Sequence, residues 1–385
     1  MGRERVVVMG GGYAGLATAL GLAGRTGRDD IGITLVNPVA RFTERLRLHQ
    51  VAAGQPLAEL SIPDRCAGSG VEFVADRVTA IDPDGRALCL EGGRELPFGV
   101  LVVATGSVAD FARVSGAREH AHTLETLAGA QRLARRLAEL DEGSVVIVGG
   151  GLTGVEAAAE LAESHPHLGV TLLAAEPPGS RMGPAGRAYL LEALDRLGVR
   201  VRSGAAVETV ASDAVELDTG ERVAADVTVW TGGVRCPGLA ARAGLEVDPR
   251  GRIVVDRTLR SVSQPQVYAV GDAAAVSLPF GTLHGTCQSG IPTGVHAAEV
   301  IARRLAGREP RPFRFGYLHQ PVSLGRRDAV IQFTRADDTP RRMMLTGRGA
   351  ARYKQAVSSS PWPSFGVLKR YPGALRWSHG GRAGR

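Results

Sequence analysis

The chain has 385 residues, which is enough for two or three domains of ordinary size and a sizeable buried core. Hydrophobic residues make up 44% and charged residues 22%, so a disordered or fibrous protein is excluded. Glycine stands out, because its 51 copies are about twice the usual share. No apolar run approaches the roughly 18 residues of a membrane span, and no leader precedes the first strand-like run, so we expect a cytoplasmic protein.

A strand-like run leads directly into a glycine-rich turn near the start of the chain. Residues 6–9 are typical of a buried parallel strand, and residues 10–15 follow with the pattern G-x-G-x-x-G before a helix through Leu22. In this context Gly10 permits a tight turn, Gly12 lets the backbone approach a pyrophosphate, and Gly15 lets the helix pack closely on the strand. A second strand over residues 31–36 ends at Asn37, where an acidic residue usually binds a ribose.

The same plan recurs later in the chain. Residues 145–148 lead into a second G-x-G-x-x-G pattern at residues 149–154, a helix through Ala162 and a strand that ends at Glu176. Asn37 and Glu176 each lie 22 residues beyond the third glycine, and each copy closes with a strand ending in a glycine, Gly106 or Gly232. Two such copies predict two dinucleotide sites, with one working site and one decayed duplicate as the alternative.

Late in the chain, a further strand is predicted that also ends at a glycine. Residues 266–271 predict a strand that ends at Gly271 and Asp272, and a helix with Ile291 and Val295 on one face follows. A carboxylate beside a glycine at a strand end suits hydrogen bonding to a polyol. The alternative for Asp272 is an ordinary helix N-cap.

Together these segments resemble the two-dinucleotide-fold flavoproteins of the pyridine nucleotide–disulfide oxidoreductase type, and among them the type II NADH dehydrogenase-like branch. The matching segments are residues 10–15, Phe42 with residues 48–54, and residues 104–106, 149–154 with Glu156, 231–233 and 267–272. The resemblance implies an α/β fold with two Rossmann-like domains. It implies an FAD-binding domain over residues 1–112 and 251–308, an inserted NAD(P)H-binding domain over 113–250, and a C-terminal domain or tail over 309–385.

The resemblance also implies which residues bind each cofactor. For FAD they are Gly10, Gly12, Ala14, Gly15, Asn37, Pro38, Arg45, Thr105, Gly106, Gly271, Asp272 and Gln288. For the nicotinamide cofactor they are Gly149, Gly151, Thr153, Gly154, Glu176 and Gly232. A carboxylate at Glu176 accepts from both ribose hydroxyls and repels a 2′-phosphate, which favours NADH over NADPH, although Arg181 close behind could soften that preference.

Hydride transfer between the two cofactors needs no acid–base pair from the protein. By resemblance, Glu156 lies close to the nicotinamide, and the helix start near Gln288 stabilises negative charge on the reduced flavin. The alternative for Glu156 is an ordinary glutamate at a helix start. His49 and His284 are weaker candidates for contact with flavin or substrate, and a structural role is the alternative for both. Neither the histidines nor the four cysteines have metal-ligand spacing, so we expect no metal.

The sequence indicates the electron acceptor less clearly than it indicates the two cofactors. No cysteine precedes Asn37, which excludes the dithiol relay of the disulfide reductases. The quinone-reducing branch has two glutamines near the last long helix, whereas this chain keeps Gln288 and has Pro292 at the second position. Pro292 at that position counts against quinone reduction. We expect an enzyme that passes hydride from NADH through FAD to a small acceptor, for which a quinone-like compound is one option.

Two alternatives to this function stay open. One is a tailoring enzyme that oxidises or reduces a specialised metabolite on FAD, for which a large, polar acceptor pocket would be the indication. The other is a redox sensor without turnover, whose basic tail binds a partner in one flavin state. The number of chains that assemble is open, a homodimer included.

The net charge of +7 resides in the tail. No acidic residue follows Asp338, whereas residues 339–385 contain ten basic residues, and Lys354 and Lys369 are the two lysines of the chain. Basic and aromatic residues suit peripheral contact with the inner face of a membrane. The alternative is a packed segment covering the far face of the flavin, because prolines at 361, 363 and 372 interrupt any long amphipathic helix. No recognition motif accompanies the charge, so we expect no nucleic-acid partner.

Overall fold

The computed structural model describes residues 4–27, 31–375, 377 and 379–383, and of Cys287 only the backbone. The strands in chain order are β1 (Glu4–Met9), β2 (Ile31–Asn37), β3 (Val71–Ala75), β4 (Val78–Asp82), β5 (Ala87–Leu90), β6 (Glu95–Pro97), β7 (Val100–Val103), β8 (Val108–Ala109), β9 (Ala121–Thr123), β10 (Gly143–Val148), β11 (Leu168–Ala174), β12 (Arg200–Ser203), β13 (Val207–Val210), β14 (Ala214–Leu217), β15 (Arg222–Ala224), β16 (Val227–Trp230), β17 (Val234–Arg235), β18 (Ile253–Val254), β19 (Val267–Ala269), β20 (Ala274–Ala275), β21 (Ser277–Leu278), β22 (Gly281–Thr282), β23 (Arg314–Phe315), β24 (His319–Ser323), β25 (Ala329–Thr334), β26 (Pro340–Thr346) and β27 (Gly381–Arg382). The helices are α1 (Tyr13–Ala23), α2 (Leu48–Ala52), α3 (Ile62–Cys66), α4 (Ala117–His120), α5 (Leu127–Ala138), α6 (Leu152–Ser164), α7 (Pro184–Arg196), α8 (Leu239–Arg242), α9 (Cys287–Leu305), α10 (Gly347–Ser359) and α11 (Pro361–Arg370), with 3₁₀ turns at Arg45–Arg47 and Gly271–Ala273.

Two five-stranded parallel sheets organise the fold. The first has the order β19-β7-β1-β2-β3 and the second β12-β11-β10-β16-β9. In each, the strand that precedes a glycine loop is central, and the predicted closing strand, β7 or β16, is hydrogen-bonded to it. The α/β class with two Rossmann-like sheets is therefore confirmed.

Burial on both faces explains why these central strands are runs of valine and isoleucine. Residues 6–9 and 145–148 are at most 5% exposed, because both faces of each sheet are covered. On the second sheet, Val145 and Ile147 pack in one cluster with α6 and α7, whereas Val146 and Val148 pack in another with β13 and β14. On the first sheet, α1 and α9 pack closely: a Cβ on Gly294 would lie 2.3 Å from the carbonyl oxygen of Ala14. The second sheet is built from one continuous stretch, whereas β19 returns to complete the first sheet after it.

The chain after α9 forms a third part that packs on α1 of the first unit and on α6 and α7 of the second. An antiparallel sheet of β24, β25 and β26 carries α10, and α11 follows α10 after a break at Ser360, just before Pro361. Trp362 and Phe365 contact Phe42 of the first sheet's unit, with ring centroids 5.2 Å and 5.6 Å away.

The aromatic residues of the tail are mostly used inside the protein. Trp377 stacks on Phe315, Tyr353 hydrogen-bonds to His319, and Tyr371 is 66% exposed. The tail is therefore packed against the rest of the protein, and that it covers the far face of the flavin stays a prediction. Among the described residues, no helix has the length and apolar character needed to cross a bilayer.

Candidate dinucleotide and acceptor site

Each glycine loop turns sharply between its central strand and its helix. Gly10 and Gly149 have φ of +112° and +119°, a region that favours glycine. A Cβ on Gly15 would lie 1.8 Å from the carbonyl oxygen of Gly10, and one on Gly154 would lie 1.9 Å from that of Gly149. Any side chain at the third glycine therefore forces the helix away from the turn.

The middle glycine of each loop is open instead. Within the described part of the chain, no atom lies within 4 Å of the Cβ position of Gly12 or Gly151. These glycines are the N-caps of α1 and α6, no side chain caps either helix, and neither first turn has an acidic residue. Helix N-termini without acidic residues, beside open backbone, suit a pyrophosphate, so the residues present fit a dinucleotide at both loops.

The two loops differ in how much protein covers them. Ala14, in the first loop, is 8% exposed, and the Cβ position of Gly271 lies 3.0 Å from its Cβ. In the second loop, Leu152 is 37% exposed and Thr153 is exposed as well. The first loop is thus enclosed by later parts of the chain, and the second faces solvent.

The residues at the ends of β2 and β11 also differ. The side-chain oxygen of Asn37 accepts a hydrogen bond from the Gly11 amide at 2.8 Å, and its Nδ2 donates to the Val39 carbonyl at 2.7 Å. Asn37 therefore supports its own glycine turn, and Pro38 beside it is exposed. Glu176, by contrast, is exposed just beyond the end of β11, where its carboxylate is accessible to a ribose.

Asp272 lies near the carboxyl end of β7, although 165 residues separate it from Ser107. The Ser107 hydroxyl donates to the Asp272 carboxylate at 2.7 Å, and Arg45 donates to the Ser107 carbonyl at 3.0 Å. Thr105 and Gly106 are half-buried beside this contact. Asp272 lies in a 3₁₀ turn, while α9 is capped by Thr286, so the structure does not support the alternative of a cap for the long helix.

The second loop has its own closing contact. The Thr231 hydroxyl donates to the carbonyls of Val148 and Gly149 at 2.9 Å and 3.1 Å, and Gly232 beyond it is exposed. This contact ties β16 to the loop that follows β10.

Gln288 connects α9 to the third part of the chain. Its side-chain oxygen accepts from the Leu318 amide at 2.7 Å, and its Nε2 donates to the His319 carbonyl at 3.0 Å. Both ends of the side-chain amide are therefore engaged by backbone, which fixes the start of α9. Pro292 lies inside α9, one turn further on.

Glu156 lies in the second turn of α6, 7% exposed, and is surrounded by polar groups from three elements. One carboxylate oxygen accepts from Lys354 Nζ at 2.8 Å, and from the amide and hydroxyl of Ser323 at 3.0 Å and 3.2 Å. The other oxygen lies 4.0 Å from His49 Nδ1. A glutamate buried and bound in this way is not an ordinary helix-start residue.

Charge and burial set the protonation of this cluster. Burial alone would raise the pKa of Glu156. The positive charges of Lys354 and His49, together with hydrogen bonds from Lys354 and Ser323, outweigh burial, so the pKa of Glu156 lies below its usual value. Burial lowers the pKa of His49; Glu156 opposes this change, and Lys354 and Arg47 add to it. At neutral pH Glu156 is therefore a carboxylate and His49 is neutral.

A cavity of about 310 Å³ opens beside this cluster, between α2, the turn after β24, and α10. We call it the α10 cavity. His49, Ser323 and Lys354 line it and also contact Glu156. Most of its other lining residues are polar or charged, so a small molecule in this cavity would lie next to a buried carboxylate–ammonium pair.

The two remaining candidates, His284 and Arg181, do not line the α10 cavity. His284 stacks on Tyr317 with centroids 4.3 Å apart, and its Nε2 lies 3.5 Å from the Asp338 carboxylate. Arg181 is exposed.

Sequence reasoning missed the partners of the two acidic residues, namely Ser107 for Asp272, and Ser323 and Lys354 for Glu156. Lys354 had a usable signal, because it is one of two lysines among 46 basic residues. The serines had none, because their roles depend on contacts between segments more than 160 residues apart.

Two glycine loops each lie at the end of a parallel sheet, one enclosed by later parts of the chain and one open to solvent. Such a pair is typical of proteins that bind two dinucleotides. The family model described as pyridine nucleotide-disulphide oxidoreductase matches residues 4–300. The chain belongs to that family, and it is a flavoprotein NAD(P)H oxidoreductase similar to NADH dehydrogenases.

Relatives and solved structures agree with this family. An NADH dehydrogenase-like protein of Mycobacterium tuberculosis is 32% identical, with 92% of this chain and 93% of that one covered. A type II NADH:quinone oxidoreductase of Staphylococcus epidermidis is 28% identical over 85% of this chain and 89% of its own. The fold is similar to sulfide:quinone oxidoreductase of Aquifex aeolicus, with a TM-score of 0.83, 21% identity, and coverage of 95% and 92%.

Proposed function

We propose that this enzyme uses FAD to oxidise NADH and reduces a small, quinone-like acceptor in the α10 cavity. The observation that carries the proposal is the buried Glu156–Lys354 pair, whose partners His49 and Ser323 line that cavity. The cluster draws Glu156 from the second glycine-loop unit and His49 from the first.

The residues around the two glycine loops would hold the cofactors. The open backbone at Gly12 and the Asp272 carboxylate would bind FAD, and the backbone at Gly151 with Glu176 would bind NADH. When bound, FAD accepts a hydride from NADH and passes two electrons to the second substrate. The exposed carboxylate of Glu176 favours NADH, and NADPH is the weaker substrate.

The buried cluster would supply a proton. Reducing a quinone by one NADH consumes one further proton, since NADH + H⁺ + quinone gives NAD⁺ + quinol. Lys354, which lines the cavity and donates to Glu156 at 2.8 Å, would deliver that proton to the acceptor. Glu156 would hold Lys354 in position, and solvent would return the proton through the open side of the cavity.

Two names among the comparisons support this proposal. The Staphylococcus epidermidis relative is named a type II NADH:quinone oxidoreductase. A structure of Plasmodium falciparum NDH2 in complex with NADH has a TM-score of 0.80 at 13% identity, with 97% and 99% coverage.

One observation favours a second candidate, the tailoring enzyme. Most of the residues that line the α10 cavity are polar or charged, which suits a polar metabolite. Its volume of about 310 Å³ is at the small end of ligand pockets, so it would admit only a compact one.

An anaerobic titration with NADH, followed by addition of menadione, tests the proposal. We expect the visible flavin band to bleach with one equivalent of NADH and to return when menadione is added. A yellow protein that NADH leaves unbleached would contradict the proposal and favour the tailoring enzyme. Bleaching without recovery in any quinone would contradict the quinone assignment alone.

A further inference from the structure

Positively charged residues outnumber acidic ones in the lining of the α10 cavity. Five cationic residues are among its described lining residues, and one acidic residue, Asp328, lies with them. The five are Arg326, Arg327, Arg348, Arg352 and Lys354.

Contacts within the protein neutralise only part of this charge. Asp328 is already bound by Arg196 at 2.8 Å and by the Tyr189 hydroxyl at 2.7 Å, neither of which lines the cavity. Arg326 lies 3.4 Å from Glu160, and Lys354 pairs with Glu156.

Three guanidinium groups remain. Arg327, Arg348 and Arg352 are exposed, and no acidic side chain in the described ranges lies within 4.0 Å of them. These three residues therefore line the cavity without an ionic partner among the described residues.

The placement of two of these arginines is unfavourable for the helix that carries them. Arg348 lies in the first turn of α10, where a positive charge opposes the helix dipole. Arg352 follows four residues later on the same face, where like charges repel. No acidic residue lies between Asp338 and the end of the chain to offset them. An anion bound between the two side chains would relieve both costs.

We infer that the acceptor of this enzyme carries an anionic group, such as a carboxylate, bound by Arg348 and Arg352 with Arg327 beside them. The inference rests on the proposed function and deepens it. The reducible ring would lie against Lys354 and His49 and take two electrons and two protons. The anionic group stays unchanged in the reaction and serves as an ionic anchor.

A matched pair of acceptors tests the inference. One is menadione with a carboxypropyl chain at C3, and the other carries the corresponding carboxamide, so the two differ in charge and keep the same quinone ring. We expect the parent enzyme to have the higher kcat/KM with the carboxylate. In R348Q/R352Q this preference should fall about tenfold, as expected for the loss of charged hydrogen bonds, with the carboxamide little affected.

The control variant is R308Q/R311Q, which removes two exposed arginines that do not line the cavity. It should keep the parent preference. An equal loss in both variants would mean a general effect of net charge and would overturn the inference, as would an unchanged preference in R348Q/R352Q.

Two further measurements separate the remaining outcomes. Calorimetric binding of both probes to the oxidised enzyme distinguishes the inference from the proposed function: carboxylate-selective binding without reduction overturns quinone reduction and leaves the anion site intact. Sedimentation with phosphatidylglycerol vesicles tests the other source of anions. If R348Q/R352Q loses vesicle binding while the acceptor preference is unchanged, the arginines contact lipid and the inference is wrong.

Discussion

The two glycine loops have nearly the same backbone and different surroundings. Both turn at a glycine with positive φ, and both leave the middle glycine open. The first loop lies beneath α9 and the Gly271 turn, while Leu152 and Thr153 of the second are exposed. The difference teaches that one loop design can be enclosed or left open by what the rest of the chain places over it. Under the proposed function, the enclosed loop would hold a resident cofactor and the open loop an exchanging substrate.

The largest expected effect comes from adding one methyl group to each loop in turn. In Gly15→Ala and Gly154→Ala the new Cβ would meet a backbone carbonyl at 1.8 Å or 1.9 Å, which destabilises the unit by about 1–3 kcal/mol or more. Gly15→Ala should be purified without flavin, and Gly154→Ala should be yellow and not bleached by NADH. Absorbance spectra per chain measure both. Loss of flavin in Gly154→Ala would break the comparison, because the second loop would then be needed for the resident cofactor.

The next effect concerns the buried cluster around Glu156, to which Lys354 belongs. Lys354→Met should slow acceptor reduction about 100-fold, the usual scale for losing a general acid, while NADH still bleaches the flavin at the parent rate. Stopped-flow absorbance separates the two steps. The chain's other lysine supplies the control: Lys369 bonds to the Ala67 carbonyl away from the cavity, so Lys369→Met should behave as the parent.

Removing Lys354 alone leaves a buried carboxylate unpaired, which destabilises proteins. The double variant Glu156→Gln/Lys354→Met avoids that charge and should keep the parent melting temperature while it remains slow. Parent-like acceptor reduction in this double variant would rule out a proton from the cluster.

A smaller effect concerns the choice of nicotinamide cofactor. Glu176→Ala should reduce the preference for NADH over NADPH about tenfold, because it removes an acceptor for the ribose hydroxyls and a charge that repels a 2′-phosphate. The ratio of kcat/KM for the two substrates measures it. Glu142→Ala removes another exposed carboxylate of the same unit and should leave the ratio unchanged. A ratio unchanged in Glu176→Ala as well would remove Glu176 from the site.

The smallest effect is on stability at mildly acid pH. Burial lowers the pKa of His49, so below about pH 6.5 the unfolded chain binds a proton there that the folded chain does not. Stability should therefore fall as the pH falls below that value, by at most about 1.4 kcal/mol per pH unit. His49→Gln should flatten this slope in thermal melts between pH 7 and pH 5. An equal slope in the variant would place the titrating group elsewhere.

The sequence predicted the parts of the fold that repeat. Both central strands, both glycine loops and the closing strands β7 and β16 follow from local patterns of valine and glycine, and the structure confirms them. The late strand was also predictable, because residues 266–271 carry the same pattern.

The buried cluster was only half predictable. Glu156 belongs to the second glycine-loop helix and could be found from its motif. Lys354 and Ser323 come from the third part of the chain, where no motif marks them, and they reach Glu156 through the packing of β24 and α10 on α6. Contacts of this kind depend on how separate units dock, which local periodicity does not encode.

The order of strands in the first sheet has a consequence for synthesis on the ribosome. All strands of the second sheet lie between residues 121 and 230, so that sheet can form while the chain is still emerging. The first sheet cannot be completed until β19 has been made, and Phe42 cannot contact Phe365 until the last part of the chain has been made. We therefore expect the second unit to fold during translation, and the N-terminal unit to close and load its cofactor only after nearly the whole chain has been made.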